Sequence, residues 1–287
     1  MKTPLAPRQL AGRAAGLLLT LAVGLLIFVV LGHPNPRLPG GIDPYARAIV
    51  TGALLAAALL CRTVAALRPY WPLAFAFFIA SLVTALDLYT SYWIYDIFAF
   101  DADTPLEFAV MRTKNAVFII SLIVLLNRLA GGSLGSIYIQ KGRLKQGLLI
   151  GLVTFLGGAA IAVPMAVILY KGADLSPQRV LSWLPYLLVF VLVNAAYEEL
   201  LFRGIFLRKL EPFFGRFLAN LLTAIVFACS HSAVTYSSDI LLFLFGALLS
   251  ALAWGWLMQK TDSLWGSILF HAGLDIPIML GIFSTLA

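Results

Sequence analysis

The chain has 287 residues, of which 61% are hydrophobic and only 11% charged. About a quarter of the residues in an ordinary soluble domain are charged, so the composition excludes a soluble globule and indicates a multi-spanning membrane protein. The net charge of +7 does not point to nucleic acid, because the Lys and Arg residues lie between apolar runs, as the positive-inside rule expects.

Lys2, Arg8 and Arg13 precede the apolar run 14–31. That run matches the ~20 residues of a spanning helix, exceeds a secretory h-region, and is followed by no Ala-x-Ala site. It reads as a retained first span at about 14–32. Further spans are predicted at about 46–66, 72–95, 107–129, 147–170, 181–208, 217–235, 240–259 and 264–284. The count is nine, or eight given the soft edges of the second and third runs. The runs are continuously apolar, without the alternation of a barrel strand. The fold class is therefore all-α, a polytopic transmembrane helical bundle.

With the N-terminus inside, thirteen Lys and Arg residues fall in inside segments. Six fall outside: Arg37, Arg47, Arg112, Lys114, Lys171 and Arg179. This bias predicts a cytoplasmic N-terminus and, with nine spans, an external C-terminus. The compartment implied is a bacterial inner (plasma) membrane. The acidic residues Asp96, Asp101, Asp103 and Glu107 then form a solvated outer loop. Cys61 and Cys229 lie in apolar spans and give no disulfide framework. Asp87 is also intramembrane, with a tyrosine, an arginine or the polar site below as its possible partner.

The glycine-rich stretch 131–146 precludes a continuous helix and predicts a small hairpin or interfacial loop with its cations on lipid phosphates. It divides the chain into residues 1–130, four spans without a motif; 131–146, a cytoplasmic linker; and 147–287, the unit that carries the chemistry.

Within the sixth span, Asn194-Ala195-Ala196-Tyr197-Glu198-Glu199-Leu200-Leu201-Phe202-Arg203-Gly204 places three charges within six residues. A charge deep in a bilayer costs at least a few kcal/mol, so such residues read as functional. Glu199 and Arg203 are four apart, with the acid N-terminal to the base, and form an intrahelical pair. Glu198 points about 100° away, on the face of Asn194, with no cation at helical spacing. A carboxylate left this way in a low-dielectric cavity suits a general base.

The next span carries Phe227-Ala228-Cys229-Ser230-His231, and the last carries His271-Ala272-Gly273-Leu274-Asp275. Counting from the turn at 211–216, Glu198 and His231 are each roughly 21–23 Å deep and Asp275 about 20 Å. The counting predicts that Glu198 meets His231. His271 and Asp275 share a face, and Pro277 frees the carbonyl of Gly273. A single histidine on an apolar face is ordinarily a packing residue. Two histidines, an aspartate and a glutamate at one depth on three helices predict a site.

At these residues the chain resembles the CAAX protease and bacteriocin-processing family (CPBP, also called Abi), which includes the type II CAAX prenyl endopeptidases. The family motifs Glu-Glu-x-x-x-Arg, Phe-x-x-x-His and His-x-x-x-Asn/Asp read here as Glu198-Glu199-x-x-x-Arg203, Phe227-x-x-x-His231 and His271-x-x-x-Asp275. The resemblance covers about 181–284, with some likeness at 136–147. It implies an intramembrane endopeptidase in which Glu198, with His231, activates a water. His271 and Asp275 polarise or stabilise the scissile carbonyl, and Glu199, Arg203, Asn194 and Phe227 organise the site. An ionised Asp275 cannot donate to an oxyanion, so it is protonated, orients His271, or binds metal. The reading takes no cofactor. Its alternative is Zn²⁺ held by Glu198, His231, His271 and Asp275, without the His-Glu-x-x-His motif. The implied partners are the bilayer and a membrane protein or peptide, such as a CAAX-like tail, a bacteriocin leader or a C-terminal sorting anchor; nothing sets an oligomeric state. Competing functions are a non-enzymatic membrane scaffold or immunity protein and an ion-coupled transporter. The absence of an internal repeat disfavours the latter.

Overall fold

The computed structural model describes residues 7–32, 38, 39, 41–98 and 103–286. Lys2, His33, Arg37 and Asp101 of the sequence reading lie outside the described residues. All regular elements among those described are helical, as the continuous apolar runs predict. They are α1 (Pro7–Leu25, extended by a π turn Leu26–Val30), α2 (Asp43–Thr63), α3 (Trp71–Phe98), α4 (Pro105–Leu129), α5 (Leu144–Ala160), α6 (Ala162–Leu169), α7 (Pro177–Glu198), α8 (Leu207–Ser230), α9 (Ile240–Thr261) and α10 (Trp265–Ser284). Among the described residues eight helices are long and apolar enough to cross a membrane, nine if the pair α5 and α6, bent by 62°, is one span. Each forms because a bilayer leaves backbone groups no partner but the helix itself.

Four departures from straight spans matter. First, the predicted span 147–170 breaks at Ile161. Pro164 lacks an N–H, and its ring meets the carbonyl of residue 160, which is where α5 ends. Second, the span 181–208 is α-helical only to Glu198. Glu199–Gly204 is a π turn, closed by the Ile205 amide donating to the Leu200 carbonyl at 3.1 Å. Third, α8 breaks at Gly215, whose φ of 78° suits glycine, inside the predicted turn 211–216. Fourth, Arg47, Arg112 and Lys114 lie within α2 and α4, not in loops. Arg47 is paired with Asp43 at 2.5 Å, and Lys114 with Asp87 at 3.6 Å. Glu107 caps α4 in a box with Thr104, which accounts for one residue of the acidic loop.

The linker is not a hairpin. Leu134–Ile137 is a short 3₁₀ turn, and Ile137 and Tyr138 are buried. Tyr138 O accepts from the Leu264 amide at 3.2 Å, and the Arg143 amide donates to Thr261 O at 2.6 Å. These bonds satisfy the linker's backbone against the α9–α10 turn, leaving no need for strand pairing.

α10 is the most enclosed of the eight long spans and α2 the least. It packs against α5, α7 and α9. Its approach to α5 is backbone on backbone: a Cβ added to Gly158 would lie 2.2 Å from Gly273 O, and one on Gly151 2.5 Å from Gly266 O. Small residues permit such contact where no hydrophobic force separates helix from lipid. The contact fixes the height of His271 and Asp275 on α10 relative to the bundle.

Candidate active site

Glu198, the last residue of α7, has its Oε1 accepting from the Tyr197 hydroxyl at 3.0 Å. Its Oε2 is 3.5 Å from Nε2 of His271. Glu199 opens the π turn and accepts from the Arg203 Nη1 at 2.7 Å, the predicted i,i+4 pair. Both residues are 0% exposed. The same Glu199 oxygen lies 2.8 Å from Nδ1 of His271. The two neighbouring carboxylates therefore meet opposite nitrogens of one imidazole, which is possible because they point to different sides of α7 and the turn that follows it.

Asp275 stands one turn beyond His271, with Oδ1 3.5 Å from Nε2 of that ring. Its other oxygen accepts from Nδ2 of Asn194 at 2.8 Å. Asn194 thus serves Asp275 rather than Glu198, whose face it was expected to share. The carbonyl of Gly273 faces Gly158 of α5 and is not part of this constellation.

The predicted meeting of Glu198 and His231 does not occur as a hydrogen bond; the ring beside Glu198 is His271. His231 caps α8, and its Nδ1 lies 2.9 Å from the Phe227 carbonyl. Turn-counting assumes two straight helices, and the π turn and the Gly215 break both spoil it. The two residues nonetheless face one cavity of about 970 Å³, which also takes in Asn194, His271, Asp275 and Arg112. It extends to the loops after α6 and α8 at Lys171 and Thr235, both exposed. Asp87 lines it as well.

Phe227 packs against the Arg203 cation and both histidines. Its ring is 4.6 Å from that of His231 and 5.8 Å from that of His271, and the Arg203 guanidinium carbon sits 4.3 Å from its centroid. Trp254 of α9 stacks on His271 at 3.8 Å with an interplanar angle of 10°. Sequence reasoning missed Trp254, Tyr197 and Arg112. An intramembrane arginine is a signal that could have found Arg112; nothing local marks the other two.

Among the described residues no group of three or more His, Cys, Asp or Glu side chains is set to hold a metal ion. Nδ1 of His271 is committed to Glu199, and one Asp275 oxygen to Asn194. The constellation brings a carboxylate, an acceptor-flanked imidazole and a second imidazole onto one cavity.

Residues 180–276 match the family model described as type II CAAX prenyl endopeptidase Rce1-like. The match agrees with the family resemblance carried by the three motifs, and all eight residues singled out from the sequence fall within it. The matched family is one of CAAX-type endopeptidases. No curated relative and no solved structure matches the chain.

Proposed function

We propose that the chain is an intramembrane endopeptidase that hydrolyses a peptide bond of a membrane-associated protein or peptide, with Glu198 as the base. The observation that carries this reading is the shared cavity, onto which Glu198, His231, His271 and Asp275 all face. A polypeptide segment fits a space of that size, and the exposed loops at Lys171 and Thr235 provide its entrance.

In the proposed reaction the water oxygen attacks the scissile carbonyl carbon while one water proton passes to Glu198. The Phe227 carbonyl can only accept, so the neutral His231 ring carries its proton on Nδ1. Its Nε2 is then free to accept a hydrogen bond from the same water. The developing oxyanion is stabilised by His271 as an imidazolium: Nδ1–H donates to Glu199, and the second proton, on Nε2, lies 3.5 Å from Glu198 and from Asp275. Those contacts are too long to be strong hydrogen bonds, which leaves the position open to a substrate oxygen. The C–N bond then breaks, Glu198 returns its proton to the leaving nitrogen, and the products are a carboxylic acid and an amine. Glu199, Arg203 and Asn194 hold the imidazole and Asp275 in place. The side chains complete the cycle without a metal.

Substrate classes within this reading are a CAAX-like tail, a bacteriocin leader and a C-terminal sorting anchor. The test compares membrane proteomes of cells carrying wild type and Glu198→Gln. Peptides cleaved in the first and intact in the second support the reading. Identical termini, with both proteins equally abundant, reject it in favour of a scaffold.

A further inference from the structure

The four spans before the linker carry no motif and lie outside the matched segment, yet one of them reaches the proposed base. Arg112 stands on the third turn of α4, which packs against α7. Its Nη1 donates to the Tyr197 hydroxyl oxygen at 2.6 Å. Its guanidinium carbon sits 4.9 Å from the Phe190 centroid and 5.3 Å from that of Tyr197, so two α7 rings hold the group over the cavity wall. Lys114, two residues on, is paired with Asp87.

Arginine is a donor only, so the Tyr197 oxygen must accept from it. Tyr197 has a single proton, and with its lone pair taken by Arg112 that proton is left for Glu198, whose Oε1 is 3.0 Å away. Tyr197 and Glu198 are neighbours in sequence, and neighbouring side chains on a helix diverge by about 100°. The bond between them therefore needs something to hold the phenol, and Arg112 does so. With Oε1 engaged, the carboxylate has one rotational setting, and Oε2 is turned to His271.

We infer that Arg112 is a positioning residue for the Glu198 carboxylate, acting through Tyr197. This rests on the role of Glu198 proposed above. It makes the N-terminal half part of the site and not merely its support. An intramembrane cation serving only to anchor α4 to α7 needs no phenol that is itself bound to the base.

Two measurements on the purified full chain in lipid separate this inference from the proposed reaction. The first needs no substrate. The infrared difference between each protein and its Glu198→Gln counterpart isolates the Glu198 carboxylate bands. The bands are expected to move to one common position in Arg112→Gln, Tyr197→Phe and the double variant, and to stay near the wild-type position in Arg112→Lys, which retains a donor. Unmoved bands in folded Arg112→Gln and Tyr197→Phe overturn the inference. Tyr197→Phe removes a single oxygen and carries the test if Arg112→Gln does not fold. The second measurement uses a quenched prenylated peptide with a CAAX-type tail. Arg112→Gln and Tyr197→Phe are each expected to lower kcat about 10²-fold, the cost of a misplaced reacting group, with KM unchanged. The double variant should fall no further, since both act through one bond. Equal losses in KM and kcat, or additive losses, indicate a merely structural Arg112 and overturn the inference. If wild type leaves the peptide intact, that substrate is rejected while the infrared result still decides the role of Arg112.

Discussion

Glu199 and Arg203 form an ion pair from which water is excluded, and two rings pack against the cation: Phe227 at 4.3 Å and Trp254 at 5.0 Å. Desolvating two charges is costly, so such a pair is weak evidence for stability, but removing one partner leaves the other stranded. Arg203→Met is therefore expected to destabilise the protein by about 3–5 kcal/mol, read as a lower unfolding temperature in detergent. Glu199→Gln combined with Arg203→Met should recover much of that loss without restoring cleavage, because Nδ1 of His271 has lost its carboxylate. At this scale the motif was legible in the sequence, since helical spacing alone separates Glu198 from the Glu199–Arg203 pair. What was not legible lies across helices. Trp254 stacks on His271 from α9, and Tyr197 is bound from α4; contacts between distant residues leave no local periodicity. A tally that counts Arg112 as a loop charge hides it as well, because it stands near the edge of an apolar run.

At the scale of elements, the existence and number of helices follow directly from the apolar runs, while their bends do not. A π turn differs from an α turn by one hydrogen-bond register, a backbone property that Glu199–Gly204 advertises by no residue type. Its position is nevertheless supported: a Cβ on Gly204 would come within 2.8 Å of Leu200 Cδ1 and 3.2 Å of the linker carbonyl of Ile137. Of the two forms expected for the linker, hairpin or interfacial loop, the hairpin is absent among the described residues for a related reason: its backbone is satisfied by the remote α9–α10 turn. The α5–α10 contact yields a sharper expectation. Gly158→Leu must push α10 away from α5, since even one carbon at Cβ lies 2.2 Å from the Gly273 oxygen. The cost is about 1–3 kcal/mol, as for overpacked cores. Because α10 carries His271 and Asp275, cleavage should fall further than stability does; an assay run well below the unfolding temperature distinguishes the two.

For the whole molecule, the spans give an integral membrane protein. Four of the six cations assigned to outer segments, Arg47, Arg112, Lys114 and Arg179, belong to helices, and so do most of those assigned to inner segments, so the orientation still rests on the sequence pattern. The loops holding Lys171 and Thr235 share the cavity mouth, and the Lys171 ammonium donates to Thr235 O at 2.8 Å. With the N-terminus cytoplasmic, this mouth faces away from the cytoplasm. A cysteine at Thr235, in a chain with Cys61→Ala and Cys229→Ala, is expected to react with an impermeant maleimide added outside intact cells. One placed at Lys141 should react only after lysis. The reverse pattern inverts the orientation.

The π turn holds one residue more per hydrogen-bonded ring than an ordinary helix needs, and that surplus sits between the base and everything downstream. Deleting one residue at Leu201 lets the segment relax to uninterrupted α-helix with its apolar character intact. The helix would continue to cross the membrane in nearly its present phase, because the π turn spreads its extra residue over about the same rotation as an α turn, yet Glu199 and Arg203 would stand one residue closer in sequence and their pair would change its geometry. The turn is thus a spacer: it fits one more residue between the base and the rest of the chain while the span keeps its direction.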